Sequence, residues 1–467
     1  MTPGGAVAGS QTNRVYITGK RIILQAVSTN PADTLIVGGG SIGPDAVRCV
    51  YIIASGSEGS AVRGFTLTNG HAGTTAFYQG GGGLNTERAI VVSNCIITGC
   101  FSPTYGGGMY ARYAGVTQYN CVVSGNCASN GGGVCSFSGL VITNSLITGN
   151  LASNGGGGLS VCTVYSSTIA NNTAGGRGGA GESVNAYDCY ISNNVAATFG
   201  GGIYGDGSVV SHCVVSSNRA NGNNGGGVWG VTVKNNSLIA SNYAGGRGGG
   251  AADAYVYDST VVGNTAASYG GGLASGADLA RAVSKNSLFI DNTGNWGGGQ
   301  FRGSATNCLL AQNHAVTYAG AAYGPAILVN CTVVSNTVQT AGGGGSFYTA
   351  VIATNCIVWG NLQLSDGATN NWVPSQSGYS FAYTCIFPLP AGATNVAGNI
   401  DADPRFVNFT GGNYRLGSGS SPCVNAGTNQ EWMTISYDLD GKIRIRYGFV
   451  DMGCYEYIYS GTIFSVR

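Results

Sequence analysis

The chain's 467 residues are 43% apolar, enough to fill a long core, while only 8% are charged and the formal net charge is +1. That balance excludes a polyanion-binding surface carried by overall charge. It also excludes charge-driven disorder, although the 82 glycines lie far above ordinary usage. No run approaches the ~18 uninterrupted apolar residues of a membrane span. Valine, isoleucine and leucine recur throughout, alongside 26 tyrosines, so the chain reads as a periodic, glycine-rich β-solenoid.

In chain order, residues 1–10 carry neither a basic n-region nor an apolar h-region. A strand-like run begins abruptly at residues 15–17, and an export signal is expected to lie outside this chain. Residues 1–60 are expected to form N-terminal coils or a cap, with strand-like runs at residues 21–24, 34–37 and 49–53. Residues 61–361 carry a phrase, Asn-Cys/Ser-apolar-apolar-x-x-Asn, that returns twelve times. Its second position, column zero, holds Cys95, Cys121, Ser145, Ser167, Cys189, Cys213, Ser237, Ser259, Ser287, Cys308, Cys331 and Cys356. The mean step is about 24 residues, within the range of solenoid repeats.

Each column has its own chemistry. Two places after column zero the residue is always apolar, from Ile97 to Val358. The column between admits Thr168, Tyr190, Thr260 and Thr332, so columns zero and two face inward on a strand. Five places after column zero stand Asn126, Asn150, Asn172, Asn194, Asn218, Asn242, Asn264, Asn292, Asn313, Asn336 and Asn361, broken only by Cys100. Stacked turns put these amides roughly 4.8 Å apart, each with a donor and an acceptor, as an asparagine ladder. The residue before column zero is Asn in eight coils and Ser166, Asp188, His212 and Asp258 in the rest, residue types that suit a positive-φ corner. Asp188 and His212 fall on adjacent coils and could do acid–base work; the corner accounts for the same residues without chemistry. Glycine runs, from residues 80–83 to 342–345, supply a third corner. They lead into another strand, as at Gly202-Ile203-Tyr204, with no helix and no Gly-Lys-Ser/Thr, which argues against a phosphate-binding loop. Three short strands and three turns per coil describe an all-β, right-handed, single-stranded parallel β-helix, with residues 362–467 as its last coils and C-terminal cap.

The run Asn-Cys-x-x-x-Gly-Asn-x-Ala followed by Gly-Gly-Gly resembles the repeats of bacterial surface β-helix proteins, including relatives of the chlamydial polymorphic outer-membrane proteins. The likeness covers roughly residues 60–361; the Asn and Gly-Gly elements match, and the family's Phe mostly does not. Further on, Asp403-Pro404-Arg405-Phe406, Tyr414-Arg415-Leu416, Ser421-Pro422-Cys423, Asp438-Leu439-Asp440-Gly441 and Val450-Asp451-Met452-Gly453-Cys454-Tyr455-Glu456 are similar to the closing pattern of many secreted bacterial β-helix proteins. The resemblance implies an exported protein at the bacterial surface or beyond it, and no particular activity. The same fold also carries pectate lyases and other polysaccharide-cutting enzymes. The family pattern has Ala where this chain has Cys423 and Cys454, and their joint departure implies a disulfide clamping the cap.

The other cysteines read differently. Serine replaces them freely in column zero, and stacked side chains point in parallel, so they are expected to be free, packed thiols. No zinc-ligand spacing is present, and Asp438-x-Asp440-Gly441 lacks the remaining ligands of a calcium loop, so neither metal nor cofactor is expected. The histidines, His71, His212 and His314, share no column. Arg177 and Arg247 each sit in a Gly-Gly-Arg-Gly-Gly turn, three coils apart. Uniform columns without a convergent charged cluster favour a non-enzymatic extracellular rod, structural or adhesive, whose partners would be other copies of itself or surface glycans and not nucleic acid. The alternative is a polysaccharide lyase or hydrolase, or a carbohydrate-binding module, with Tyr78, Tyr105, Tyr110, Trp229, Tyr269 and Trp296 stacking on sugars.

Overall fold

The coil that begins at Val122 shows how the columns become structure. Strand Val122–Ser124 ends at Gly125, Asn126 turns the chain into strand Cys127–Asn130, Gly131 turns it again, and strand Val134–Thr143 returns it to Asn144. The next coil then lies in register, with Val122 beside Leu146, Val123 beside Ile147 and Ser124 beside Thr148. This computed structural model describes residues 5–8, 11–40, 45–73, 80–276, 279–389, 394–395, 398–446 and 448–459. They divide into two units, residues 1–254 and 255–467, each a parallel β-helix of such coils. In the first unit Ile97, Val123, Ile147, Ile169, Ile191, Val215 and Ile239 line the core; in the second Val261, Phe289, Leu310, Val333 and Val358 do so. Among the described residues no helix is long and apolar enough to cross a membrane.

The asparagine ladder forms as expected. In the first unit Asn194 Oδ1 accepts from Asn172 Nδ2 at 3.0 Å and from the Asn172 backbone N–H at 2.9 Å. Asn194 Nδ2 donates onward to Asn218 Oδ1 at 2.9 Å and also to Ile169 O and Ser192 O. The pattern runs from Asn126 to Asn242. In the second unit it runs from Asn264 through Asn292, Asn313, Asn336 and Asn361, and Asn361 Nδ2 donates to Asn371 at 2.7 Å. Asn371 escapes the repeat phrase because it reaches the ladder through a hairpin, in which Leu362 pairs antiparallel with Thr369, and not through a further coil. Cys100, the break in the series, receives the ladder through its backbone N–H, which donates to Asn126 Oδ1 at 3.0 Å.

All twelve residues before column zero, including Ser166, Asp188, His212 and Asp258, have φ between 45° and 57°. A second left-handed column was not legible as such: the residue before each ladder asparagine, from Gly125 to Asn193, Ser217, Gln312 and Gly360, also has positive φ, as does Gly99 before Cys100. The glycine runs combine two demands. Gly200 needs its φ of 61°, and a Cβ on Gly201 would lie 2.3 Å from Gly226 O in the next coil.

Column zero does more than fill space. Its Sγ or Oγ accepts the backbone N–H of the preceding coil, as from Cys95 N to Cys121, Cys121 N to Ser145 and Cys213 N to Ser237. It also donates to the carbonyl two residues back, as from Cys121 to Tyr119 O and Ser145 to Thr143 O. Burial pushes the thiols of Cys308 and Cys331 up, so they remain protonated donors. Cys and Ser interchange because both hold a donor and an acceptor one atom beyond Cβ.

The expected Cys423–Cys454 disulfide is absent, and all fifteen cysteines are free. Cys423 packs with Cys385, Leu416 and Met452, whereas Cys454 packs with Leu309, Val334 and Tyr455. Each fills its own apolar patch. The closing segment to which they belong lies along the flank of the second unit, on the outward side of strands Leu309–Ala311, Thr332–Val334 and Ile357–Trp359. Those strands are apolar outward as well as inward, at Leu309, Ala311, Val334 and Ile357. Three places after column zero the second unit has Ala311 and Val334 where the first reads Thr98, Ser124, Thr148, Ala170 and Ser192, and that contrast was the available sequence signal for the flank. Within the segment Arg444 and Glu456 are both buried, 3.2 Å apart, with Asp438 and Asp451 beside them accepting backbone N–H groups. Burial pushes the Glu456 carboxyl up to about 8, outweighing the Arg444 cation, and raises Asp451 as well.

Urea unfolding should separate these devices. Asn194→Ala leaves the buried backbone N–H of Asn172 without an acceptor and removes one of three from its Nδ2, and is expected to cost about 1–3 kcal/mol, whereas Cys213→Ser is expected within about 1 kcal/mol of the parent. Alkylation of the unreduced, denatured protein followed by peptide mapping should find Cys423 and Cys454 both modified. A carboxyl whose folded pKa is raised contributes stability below its unfolded pKa and loses it as pH rises through the folded value. The unfolding midpoint of the second unit should therefore fall between about pH 5 and 8.5, and Glu456→Gln should flatten that slope.

Candidate functional site

Two places on the surface bring together side chains that the coil does not need for its own construction. The first is on the corner column of the first unit. Parallel register sets His212 one coil from Asp188, and the shared left-handed backbone projects both side chains outward. His212 Nδ1 stands 2.6 Å from Asp188 Oδ1, with the side chains 68% and 54% exposed. Beside them is a shallow hollow of about 220 Å³ that includes Tyr190, Val214 and Asn236. The carboxylate orients the imidazole, but both side chains are more than half exposed, so solvent screens the pair. Asp258 does not join it: it belongs to the second unit and accepts from Asn286 Nδ2 at 3.0 Å.

The second place flanks the glycine corner of the second unit. Tyr269, Trp296 and Tyr318 stand in register at the ends of the strands before the turn. Phe301, Tyr323 and Tyr348 stand in register on the strands after it. A repeat of roughly 4.8 Å brings such rings to stacking distance. Tyr269 stacks on Phe301 with centroids 4.6 Å apart, Phe301 on Tyr323 at 5.2 Å, and Tyr323 on Tyr348 at 5.7 Å. Trp296 stacks on Tyr323 at 5.2 Å, and Tyr318 meets Tyr348 at 4.3 Å. Phe301 is buried under the others and the remaining five rings are half-buried, a continuous aromatic platform edged by Arg302. Burial pushes the phenols of Tyr323 and Tyr348 up, so both remain protonated and able to donate.

Of the aromatic residues expected to stack on sugars, Tyr269 and Trp296 belong to this platform. Trp229 stacks on Tyr204 at 4.7 Å in the first unit, under the guanidinium of Arg177. Tyr110 is a correction: it is buried, packed against Tyr105 and Phe137. Tyr78 lies outside the described residues. Phe301, Tyr318, Tyr323 and Tyr348 were missed, although their one-coil spacing from Tyr269 and Trp296 carried the signal.

The remaining candidates are engaged locally. Arg177 pairs with Glu182 at 2.7 Å and Arg247 with Asp253 at 3.0 Å, each across its own turn. His314 bonds Thr337 Oγ1, and burial lowers its pKa; His71 bonds Gly40 O. Asp438 accepts the N–H groups of Asp440 and Lys442, and Asp440 grips Arg415, which makes this fragment a turn of the closing segment. Among the described residues no three His, Cys, Asp or Glu side chains are grouped to hold a metal ion.

No family model matches the chain, so its repeats are not assigned to the polymorphic outer-membrane proteins, and no curated protein matches it. Among solved structures it is similar to the crystal structure of pectate lyase Pel9A, with 13% identity over 94% of this chain and 97% of that one, and a TM-score of 0.23. The fold rests on the strand register above; a likeness at this level bears on neither activity nor substrate.

Proposed function

We propose that the chain is a non-enzymatic adhesive β-helix of the cell exterior, binding surface glycans through the aromatic platform of the second unit. One observation carries the reading: six rings from four successive coils form a continuous half-buried surface that the ladder, the core and the corners do not require. Such rings offer flat apolar area with little rotamer entropy to lose, suited to the apolar faces of sugar rings, and their phenols and Arg302 offer polar contacts at the rim. The closing pattern shared with secreted β-helix proteins supports the location.

A second reading, glycan cleavage, is favoured by the 2.6 Å contact of His212 with Asp188 beside its hollow. A glycan array followed by reducing-end and unsaturated-product assays separates the two. On the adhesive reading at least one surface polysaccharide binds, Trp296→Ala with Tyr323→Ala weakens it by about tenfold or more, and no product appears. Release of new chain ends that is abolished by His212→Asn, a substitution the corner tolerates in eight other coils, would replace this reading with the enzymatic one.

A further inference from the structure

The corner column is exposed along the first unit and at Asp258, and buried at Asn307, Asn330 and Asn355 of the second unit. At those three asparagines the closing segment lies over it. Asn307 Nδ2 donates to Tyr437 O at 2.9 Å, Asn330 Nδ2 to Asp451 O at 3.4 Å and Asn355 Nδ2 to Thr428 O at 2.8 Å. Asn355 Oδ1 accepts from Thr428 N at 2.8 Å, and Thr332 Oγ1 accepts from Cys454 N at 3.1 Å. These three asparagines are fully buried, as are the neighbouring outward residues Leu309 and Ile357. Where this column is filled, it is filled by polypeptide, and its amides bond backbone groups.

In the first unit the column from Asn94 to Asn236 is exposed throughout. The outward row beside it is apolar except at Thr168, with Leu146 37% exposed and Tyr190 62%. Hollows of about 380 and 220 Å³ lie along it, one at Asn120, Asn144 and Leu146, the other at Asp188, His212 and Tyr190. The chain also carries a second exposed apolar surface. On the outer side of the closing segment Ile435, Tyr437, Ile443 and Phe449 are 89%, 57%, 53% and 57% exposed. They stand on turn-rich backbone joined by the Tyr437–Ile443 and Arg446–Phe449 bridges. Clustered exposed side chains of this size mark interaction surfaces, whereas single ones do not.

The geometry points to a second copy of this chain as the occupant: the corner flank of the first unit receives the outer face of another copy's closing segment. The corner amides bond backbone groups of its turns, as they do in the second unit, and Leu146 and Tyr190 pack against Ile435 and Phe449. The two faces differ, so the contact is head-to-tail, and each added copy presents a fresh face.

Sedimentation velocity of the full chain across roughly 1–100 μM tests this. The expected result is a series of species that grows beyond the dimer with concentration. Leu146→Asp with Tyr190→Asp, and separately Ile435→Asp with Phe449→Asp, should each be monomeric, since each destroys one face. All four residues are exposed, so the fold is retained. An equimolar mixture of the two variants should give a one-to-one dimer and nothing larger, because one intact face remains on each partner. Asn144→Gly keeps the left-handed backbone while removing the amide, and should weaken assembly by about fivefold or more. A wild-type chain that stays monomeric overturns the proposal. So does either double variant dimerising alone, which would mean a like-to-like contact, and so does assembly lost only with Trp296→Ala and Tyr323→Ala.

Discussion

A buried primary amide has two donors and two acceptor positions, and a protein interior leaves none of them cheaply unpaired. In this chain the requirement is met mainly between coils, with the carbonyl two residues back in the same coil as a further acceptor. Each ladder oxygen receives both the side-chain and the backbone N–H of the preceding asparagine, and each ladder nitrogen returns to a carbonyl. A coil can lengthen or shorten between corners, as the steps from Asn264 to Asn292 and from Asn292 to Asn313 do, but its asparagine must arrive one rung above the last. The parallel register, the left-handed residue before the asparagine and the close glycine backbone all follow from that arrival.

Column zero repeats the logic with weaker groups. Its hydroxyl or thiol takes a backbone N–H from one coil and gives a hydrogen to its own strand, so within each unit a second polar column adds ties between successive coils. The thiols of Cys308 and Cys331 are held protonated by their apolar surroundings, which suits hydrogen bonding and not reactivity. The closing segment adds a different kind of tie. It borrows the corner amides and an outward apolar row of the second unit, and it is knotted internally around the buried Arg444.

What remains for function is the surface between these constraints. Strand register there converts a one-coil spacing in sequence into touching side chains. The same rule that stacks the ladder stacks six aromatic rings beside the glycine corner and sets Asp188 against His212. Contact alone does not distinguish these clusters; burial does. The rings are half-buried on one another and form a surface, while the pair is solvated and occupies a corner that asparagine fills elsewhere.

The fold was legible in the residues because period, corner chemistry and alternation are local: Asn126 to Asn361, the Cys/Ser column and the glycine runs each announce a position on the coil. The corner role of Asp188 and His212 was legible for the same reason. The left-handed residue before the ladder was not, because five residue types share it and no single letter recurs. The fate of Cys423 and Cys454 was not legible either, since whether two cysteines meet depends on how an irregular segment folds over a flank. Only the tertiary structure could decide that the closing segment covers the corner amides of the second unit and leaves those of the first exposed. The amides are alike in sequence, and the difference between them is made by residues about a hundred positions away, brought near by hydrophobic burial on one face of one unit.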